Sequence, residues 1–229
     1  MLKVDFHVHT VFSPDSVITF ELLVQECKRK GIDAVAIMDH DEFEGACAFS
    51  EKAAEVRASG GWAPLIIKGE EVRTTGGEIC GLFLREKIPR KKTPVETMEL
   101  IKGQGGLVYV PHPFDLLKLK RLKAKELERL VNEGMIDIIE VFNGKPRFPF
   151  ANILARRFLE DHKIAQAAGS DAHEPIHLGT TYVYMKHFEG PLELLESLRS
   201  AEIHGKRYSP LSSAWYRLRM WDQRKELSL

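Results

Sequence analysis

The chain has 229 residues, with 33 Lys+Arg against 33 Asp+Glu for a formal net charge of zero, and is 44% hydrophobic and 29% charged. That length suits one large α/β domain with a sizeable core, and the composition excludes a disordered chain. Zero net charge removes the simplest argument for a dedicated nucleic-acid binder, and no apolar run approaches the ~18 residues of a membrane span.

Leu2, Val4, Phe6 and Val8 alternate with Lys3, Asp5 and His7, the pattern of a half-buried strand. Lys3 and Asp5 within it argue against a signal peptide, so a soluble cytoplasmic protein is expected. A helix is predicted from about Thr19 to a stop at Gly31, and Asp33 to Met38 is a short apolar run suited to a buried parallel strand. A second helix is predicted over Glu42 to Ala58. Ile66 to Thr74 and Glu78 to Leu84 flank Thr75-Gly76-Gly77, which predicts a β-hairpin. Thr93-Pro94-Val95-Glu96 is a capping box with Pro at the first helical position. Further strands are expected at Leu107 to Val110, Ile136 to Phe142, Ile164 to Ala168 and Thr181 to Met185. Helices are expected at Ala124 to Glu133, Phe150 to Asp161 and Leu192 to Ala201. Six or seven βα units in about 200 residues imply a parallel sheet, and a shortened or irregular barrel fits better than a full eight-unit one of ~250 residues. Neither GxGxxG nor GxxxxGK[ST] occurs, so a nucleotide-cradling loop is not indicated.

Chemistry-bearing residues gather at the predicted strand ends. Strand one ends in Asp5-Phe6-His7-Val8-His9-Thr10 with Asp15 beyond, strand two in Asp39-His40-Asp41, and strand three carries Gly69-Glu70-Glu71. Later ends carry Pro111-His112-Pro113, Glu140-Val141-Phe142-Asn143 and Ser170-Asp171-Ala172-His173. In a barrel the C-terminal strand ends converge on one mouth. Five histidines and several carboxylates there would repel or stay unsatisfied unless a cation organised them. Any one of these motifs alone is weak; their joint occurrence on separate strand ends points to a metal site. Mixed imidazole and carboxylate donors suit Zn, Mn or Fe better than Mg or Ca. His162, His177, His187 and His204 fall in helices or loops and are expected at the surface.

The set D-x-H-x-H-T, D-H-D, G-x-E, a His after strand four and S-D-A-H resembles the PHP (polymerase and histidinol phosphatase) family over about residues 1 to 205. The resemblance implies a distorted (β/α)7 barrel, two or three divalent transition-metal ions and phosphoesterase chemistry. It implies His7, His9, Glu71 and Asp171 as ligands of one ion, Glu71 and His112 of a second, and Asp15, His40 and His173 of a third. The family often places a His in the strand following G-x-E, where this chain has Cys80; the thiol is either a ligand or a small buried hydrophobe.

Clustered ions acidify a water and polarise a phosphoryl oxygen, as hydrolysis of a phosphomonoester or phosphodiester requires. Asp39 either orients a neighbouring ligand or caps the following helix. Ser13, Asn143, Lys145 and Arg147 lie in strand-end loops, and Ser13, Asn143 and Arg147 are candidate contacts to a small phosphorylated substrate, a nucleotide or an oligonucleotide; the basic stretch Lys118 to Lys125 either attracts a polyanion or is an exposed loop and helix face. Two rival readings are a hydrolase of amide-type bonds, from which phosphate-binding cations in the mouth would discriminate, and a non-catalytic PHP-like subunit of a ribonucleoprotein, against which the near-complete ligand set argues. The barrel is expected to occupy residues 1–208. Residues 209–229, with Trp215, Tyr216 and Trp221 among Arg217, Arg219, Arg224 and Lys225, are expected to form a helical tail packing on the barrel or a partner.

Overall fold

The computed structural model describes residues 1–146, 148–209, 211–216 and 218. Its strands are β1 (Leu2–Val8), β2 (Ala34–Ile37), β3 (Leu65–Arg73), β4 (Glu78–Leu82), β5 (Leu107–Val110), β6 (Ile138–Asn143), β7 (Ala165–Gly169), β8 (Thr181–Met185) and β9 (Glu202–Gly205). Its helices are α1 (Phe20–Lys30), α2 (Glu44–Ala58), α3 (Pro94–Gly103), α4 (Ala124–Asn132), α5 (Ala151–Glu160) and α6 (Pro191–Leu198).

Local chemistry sets these boundaries. Thr19 caps α1 by accepting from the Leu22 N–H, and Gly31 ends it at φ 66°, a left-handed conformation. The Thr93–Glu96 capping box opens α3 with Pro94 in its first turn. The second helix begins at Glu44 rather than Glu42, because the Glu42 carboxylate accepts the Phe43 and Glu44 N–H groups and so serves the first turn from outside.

The strands form one sheet in the order β7-β6-β5-β4-β3-β2-β1-β8-β9. Neighbours among β1, β2 and β3, and among β5, β6 and β7, run parallel. The sheet nearly closes on itself: just beyond β7, the Asp171 N–H donates to the His7 carbonyl (2.8 Å) and the His9 N–H to the Ala172 carbonyl (3.0 Å). The expected distorted barrel is therefore present, and its distortion has an address. In the β3–β4 hairpin, β4 runs antiparallel to both of its neighbours, and β8 pairs antiparallel with β1. At the hairpin, Thr74 Oγ1 accepts from the Gly76 and Gly77 N–H groups. Gly77 (φ 144°) is required there, since a Cβ would fall 2.5 Å from the Leu122 nitrogen of the facing loop.

Two apolar layers divide the strand side chains. The outer layer joins Val35, Ile37, Val72, Ile79, Val108 and Ile139 to helix residues such as Leu23, Phe49, Ile101, Leu127 and Leu159. The inner layer joins Val4, Phe6, Ala36, Met38, Cys80, Leu82, Tyr109 and Ile138, with Leu194 and Leu198 of α6 packed against it. Both faces of β1 are buried from Val4 onward, so it is not half-buried as its alternation suggests. Its pairing with β2 is also irregular between Asp5 and Val8. Val8 consequently joins the outer layer, while Phe6 and His7 both lie against Tyr109.

Candidate metal centre

The inner faces of the strands turn polar towards their C-terminal ends, and the side chains meet there. His7 and His9 approach through their Nε2 atoms, 3.1 Å apart. His9 Nε2 also lies 3.6 Å from both Glu71 Oε2 and Asp171 Oδ1. Glu71 takes His112 Nε2 on one oxygen (3.0 Å) and His40 Nδ1 on the other (2.9 Å). The rings of His40 and His173 flank His9 at centroid distances of 4.4 and 4.2 Å. Asp15 faces His173 Nε2 at 3.3 Å and His40 Nε2 at 3.9 Å. All eight residues read from the sequence as ligands thus come to one mouth.

Around them lies a shell of orienting contacts. Glu140 accepts from His7 Nδ1 (3.0 Å), the Tyr109 hydroxyl (2.9 Å), the His112 N–H (2.7 Å) and the Asn143 amide (2.8 Å). Asp39 accepts from the Thr10 N–H and hydroxyl (2.7 and 2.6 Å) and from the Ser13 hydroxyl (2.7 Å), and Ser13 Oγ lies 3.3 Å from His9 Nδ1. Asp39 does not cap α2, whose first turn is served by the Glu42 carboxylate; its own contacts run to Thr10 and Ser13. Ser13 and Asn143, read as substrate contacts, are buried and committed to internal bonds, Asn143 to Glu140 and Asp171, and Ser13 to Asp39. Arg147 lies outside the described residues.

Backbone strain marks the same place. His112 (φ 31°) and Asp171 (φ 53°) are non-glycine residues with positive φ. Asp171 is held there by its N–H to His7 and by its carbonyl, which accepts from the Tyr208 hydroxyl (2.7 Å). On β7, Gly169 is obligatory, because a Cβ would sit 2.2 Å from the His7 Cβ.

The electrostatics separate the histidines. Burial, and then the proximity of His173, His40 and His7, holds His9 well below its ordinary value, so its imidazole is neutral, the form that binds metal. Burial opposes protonation of His7, but the Glu140 and Asp171 carboxylates outweigh it and raise its value. For Asp171, burial is outweighed by Lys118, His7 and Lys145, which keep it ionised.

Lys118 and Lys145 were not read as part of the site by any motif, and the mouth contains both. Lys118 Nζ lies 2.5 Å from Asp171 Oδ2 and Lys145 Nζ 2.9 Å from His173 Nδ1. With Asp15, His40, Glu78, Asp171 and His173 they line a cavity of about 270 Å³. Glu140 had a legible signal, as a carboxylate inside the apolar strand Ile138–Asn143; Lys118 had only a diffuse one, as the first lysine of the basic stretch Lys118 to Lys125. His177, expected at the surface, is buried: its ring stacks on Tyr208 (3.7 Å between centroids), and its nitrogens meet Glu174 and Ser212. Residues 211–216 are helical, and Ser212 and Ser213 bond to His177 and Glu174, so this part of the tail packs on the barrel. Arg217, Arg219, Trp221, Arg224 and Lys225 lie outside the described residues.

The donor set passes a direct test of fit to a metal. With Nδ1 of His7 engaged by Glu140 and Nδ1 of His9 by Ser13, the two Nε2 atoms face each other in a dry interior beside the Glu71 and Asp171 carboxylates. That arrangement matches the way metal-binding histidines are oriented by a second partner, leaving Nε2 for the metal. One ligand atom each from His7, His9 and Glu71 lies within 4.8 Å of the others, and the same holds for His7, His112 and Asp171 and for His9, His40 and His173.

The barrel and this imidazole–carboxylate cluster define an α/β-barrel protein with a centre suited to divalent metal ions. The PHP domain matches residues 5–184, and the chain belongs to the PHP domain family. It is 35% identical over 183 residues to "Uncharacterized protein MJ0417" of Methanocaldococcus jannaschii, covering 80% of this chain and 70% of that protein. Its fold resembles that of a two-domain protein of Bacteroides vulgatus containing a predicted PHP-like metal-dependent phosphoesterase, at TM-score 0.70 and 24% identity over 90% of this chain. The chain spans 65% of that protein's length. It also resembles the lesion-specific endonuclease PfuEndoQ of Pyrococcus furiosus, at TM-score 0.63 and 17% identity over 88% of this chain and 57% of that one.

Proposed function

We propose that the protein is a metal-dependent hydrolase of phosphate esters, acting on a phosphomonoester or phosphodiester such as a nucleotide. The observation that carries the phosphate reading is the pair of ammonium groups, Lys118 and Lys145, set in the mouth beside the ligand cluster. Burial lowers the value of Lys145, with Asp171 opposing, whereas at Lys118 the Asp171 and Glu71 carboxylates outweigh burial and keep it cationic. An amide substrate offers such cations no anionic group to hold; a phosphate ester does.

His7, His9, Glu71 and Asp171 would hold one ion, Glu71 and His112 a second, and Asp15, His40 and His173 a third. Imidazole and carboxylate donors fit Mn, Fe or Zn. When bound, such ions supply Lewis acidity to a phosphoryl oxygen and acidify a water at neutral pH. The rest is the chain's own work. Lys118 and Lys145 bind and orient the anion. Glu140, Ser13 and Asp39 fix the tautomers and ring angles of His7 and His9. Tyr208 holds Asp171 in its strained backbone conformation.

The family match and the fold likeness to proteins described as phosphoesterase and endonuclease support this reading. Among the described residues no helix is long and apolar enough to cross a membrane. A cytoplasmic site of action is part of the same proposal. The test is a panel of phosphomonoesters, phosphodiesters and amides assayed with Mn, Fe and Zn. Metal-dependent turnover confined to phosphate esters is expected, and turnover of amides alone would overturn the assignment.

A further inference from the structure

The inner face of β4 presents two side chains able to bind a metal, Glu78 at its start and Cys80 two residues on, and the structure sets them at different depths. Cys80 pairs in the ladder with Glu71 on one side and Tyr109 on the other, and it belongs to the inner apolar layer with Phe6 and Leu82.

Glu78 lies higher, opposite Arg73, where it lines the mouth beside His40, Lys118 and Asp171. Its residue is 6% exposed, and one ligand atom each from Glu78, His40 and Glu71 lies within 4.8 Å of the others. Two carboxylates facing one imidazole in so dry a place repel one another unless a cation is shared. The backbone fixes the position. The Glu78 N–H donates to the Lys120 carbonyl (2.6 Å), and Gly77 lets the loop over residues 120–122 lie against the hairpin.

We propose that Glu78, and not Cys80, is the ligand that β4 supplies, joining Glu71 at the second divalent ion, beside His40 at the mouth. The inference rests on the metal-dependent reading above and extends it to the kind of ion. A carboxylate in place of a thiolate makes the donor set harder, which favours Mn or Fe(II) over Zn at this position. It also ties the ligand to the phosphate-binding loop, because the strap that holds Glu78 follows directly from Lys118.

The test compares metal stoichiometry and affinity, not turnover. Apo-protein is reconstituted with Mn or Zn, desalted and assayed by elemental analysis, with affinities from competition against a chromophoric chelator and folding checked by circular dichroism. Glu78→Ala is expected to lose one equivalent or bind it at least tenfold more weakly. Glu78→His should recover that equivalent with a shift towards Zn, and Cys80→Ser should match the wild type. Should Glu78→Ala fail to fold, the near-isosteric Glu78→Gln decides the same comparison through its weakened affinity. A full complement at wild-type affinity in the Glu78 variants, or loss of an equivalent in Cys80→Ser, overturns the inference while leaving the metal-dependent reading in place. A wild-type protein that binds no metal overturns both.

Discussion

Replacing Lys118 with Gln removes a charge from the mouth while keeping most of the side chain's length. The ammonium lies 2.5 Å from Asp171 Oδ2 at the edge of a cavity of about 270 Å³, within reach of an entering anion. A hydrogen bond to a charged group contributes about 1.5–3 kcal/mol, so phosphate should bind roughly 10- to 150-fold more weakly in the variant. The Coulomb ceiling for unit charges ~4 Å apart at an effective dielectric of ~20 is about 4 kcal/mol, which bounds the loss near a thousandfold. The assay is competitive inhibition of p-nitrophenyl phosphate hydrolysis by inorganic phosphate, at saturating metal. Metal content should be unchanged, because Lys118 is not a ligand. An inhibition constant within twofold of the wild type, at full metal content, would refute the assignment of Lys118 as an anion contact.

Asp171→Asn should weaken metal binding and reduce turnover at least a hundredfold while leaving the barrel folded, as read by elemental analysis, steady-state kinetics and circular dichroism. Gly169→Ala should destabilise the protein by about 1–3 kcal/mol or more, since the added methyl meets His7, and denaturant titration reports the loss. Glu70 faces away from the site; burial pushes it up to about 7, one oxygen accepts from the Ile88 N–H, and the other is buried without a partner. Its folded-state value lies above its unfolded one, so it withdraws stability as pH rises from about 4.5 to about 7. Glu70→Gln should therefore gain on the wild type by up to about 3 kcal/mol between those limits in chelator-treated protein, and parallel stability–pH curves would refute the burial argument.

Most of the site was legible because its residues stand in short motifs at strand ends, where a barrel must bring them together whatever its exact closure. Helix starts were legible for a similar reason: Thr19, Gly31 and the Thr93–Glu96 box act within one turn of chain. What escaped depended on distant contacts. The irregularity in β1 that sends Val8 outward and His7 inward is set by pairing with β2, which the alternation of apolar residues does not encode. Strand β9 carries Glu202 and His204 on an exposed edge and so has no apolar signature; its partner β8 makes it a strand. His177 is buried only because Tyr208 and Ser212 return across it from about 30 residues later. Lys118 was legible only as part of a basic stretch, and it is the fold that sets it against Asp171.

The central claim is that the facing imidazoles and carboxylates at the barrel mouth hold divalent transition metal. Elemental analysis of the full chain, purified without chelators and paired with thermal melts on adding Mn, Fe or Zn, tests it most directly. The account predicts at least one tightly held equivalent per chain and a rise in melting temperature on metal addition to the apo-protein. Well under one equivalent, with no stabilisation by any of the three ions, would contradict it.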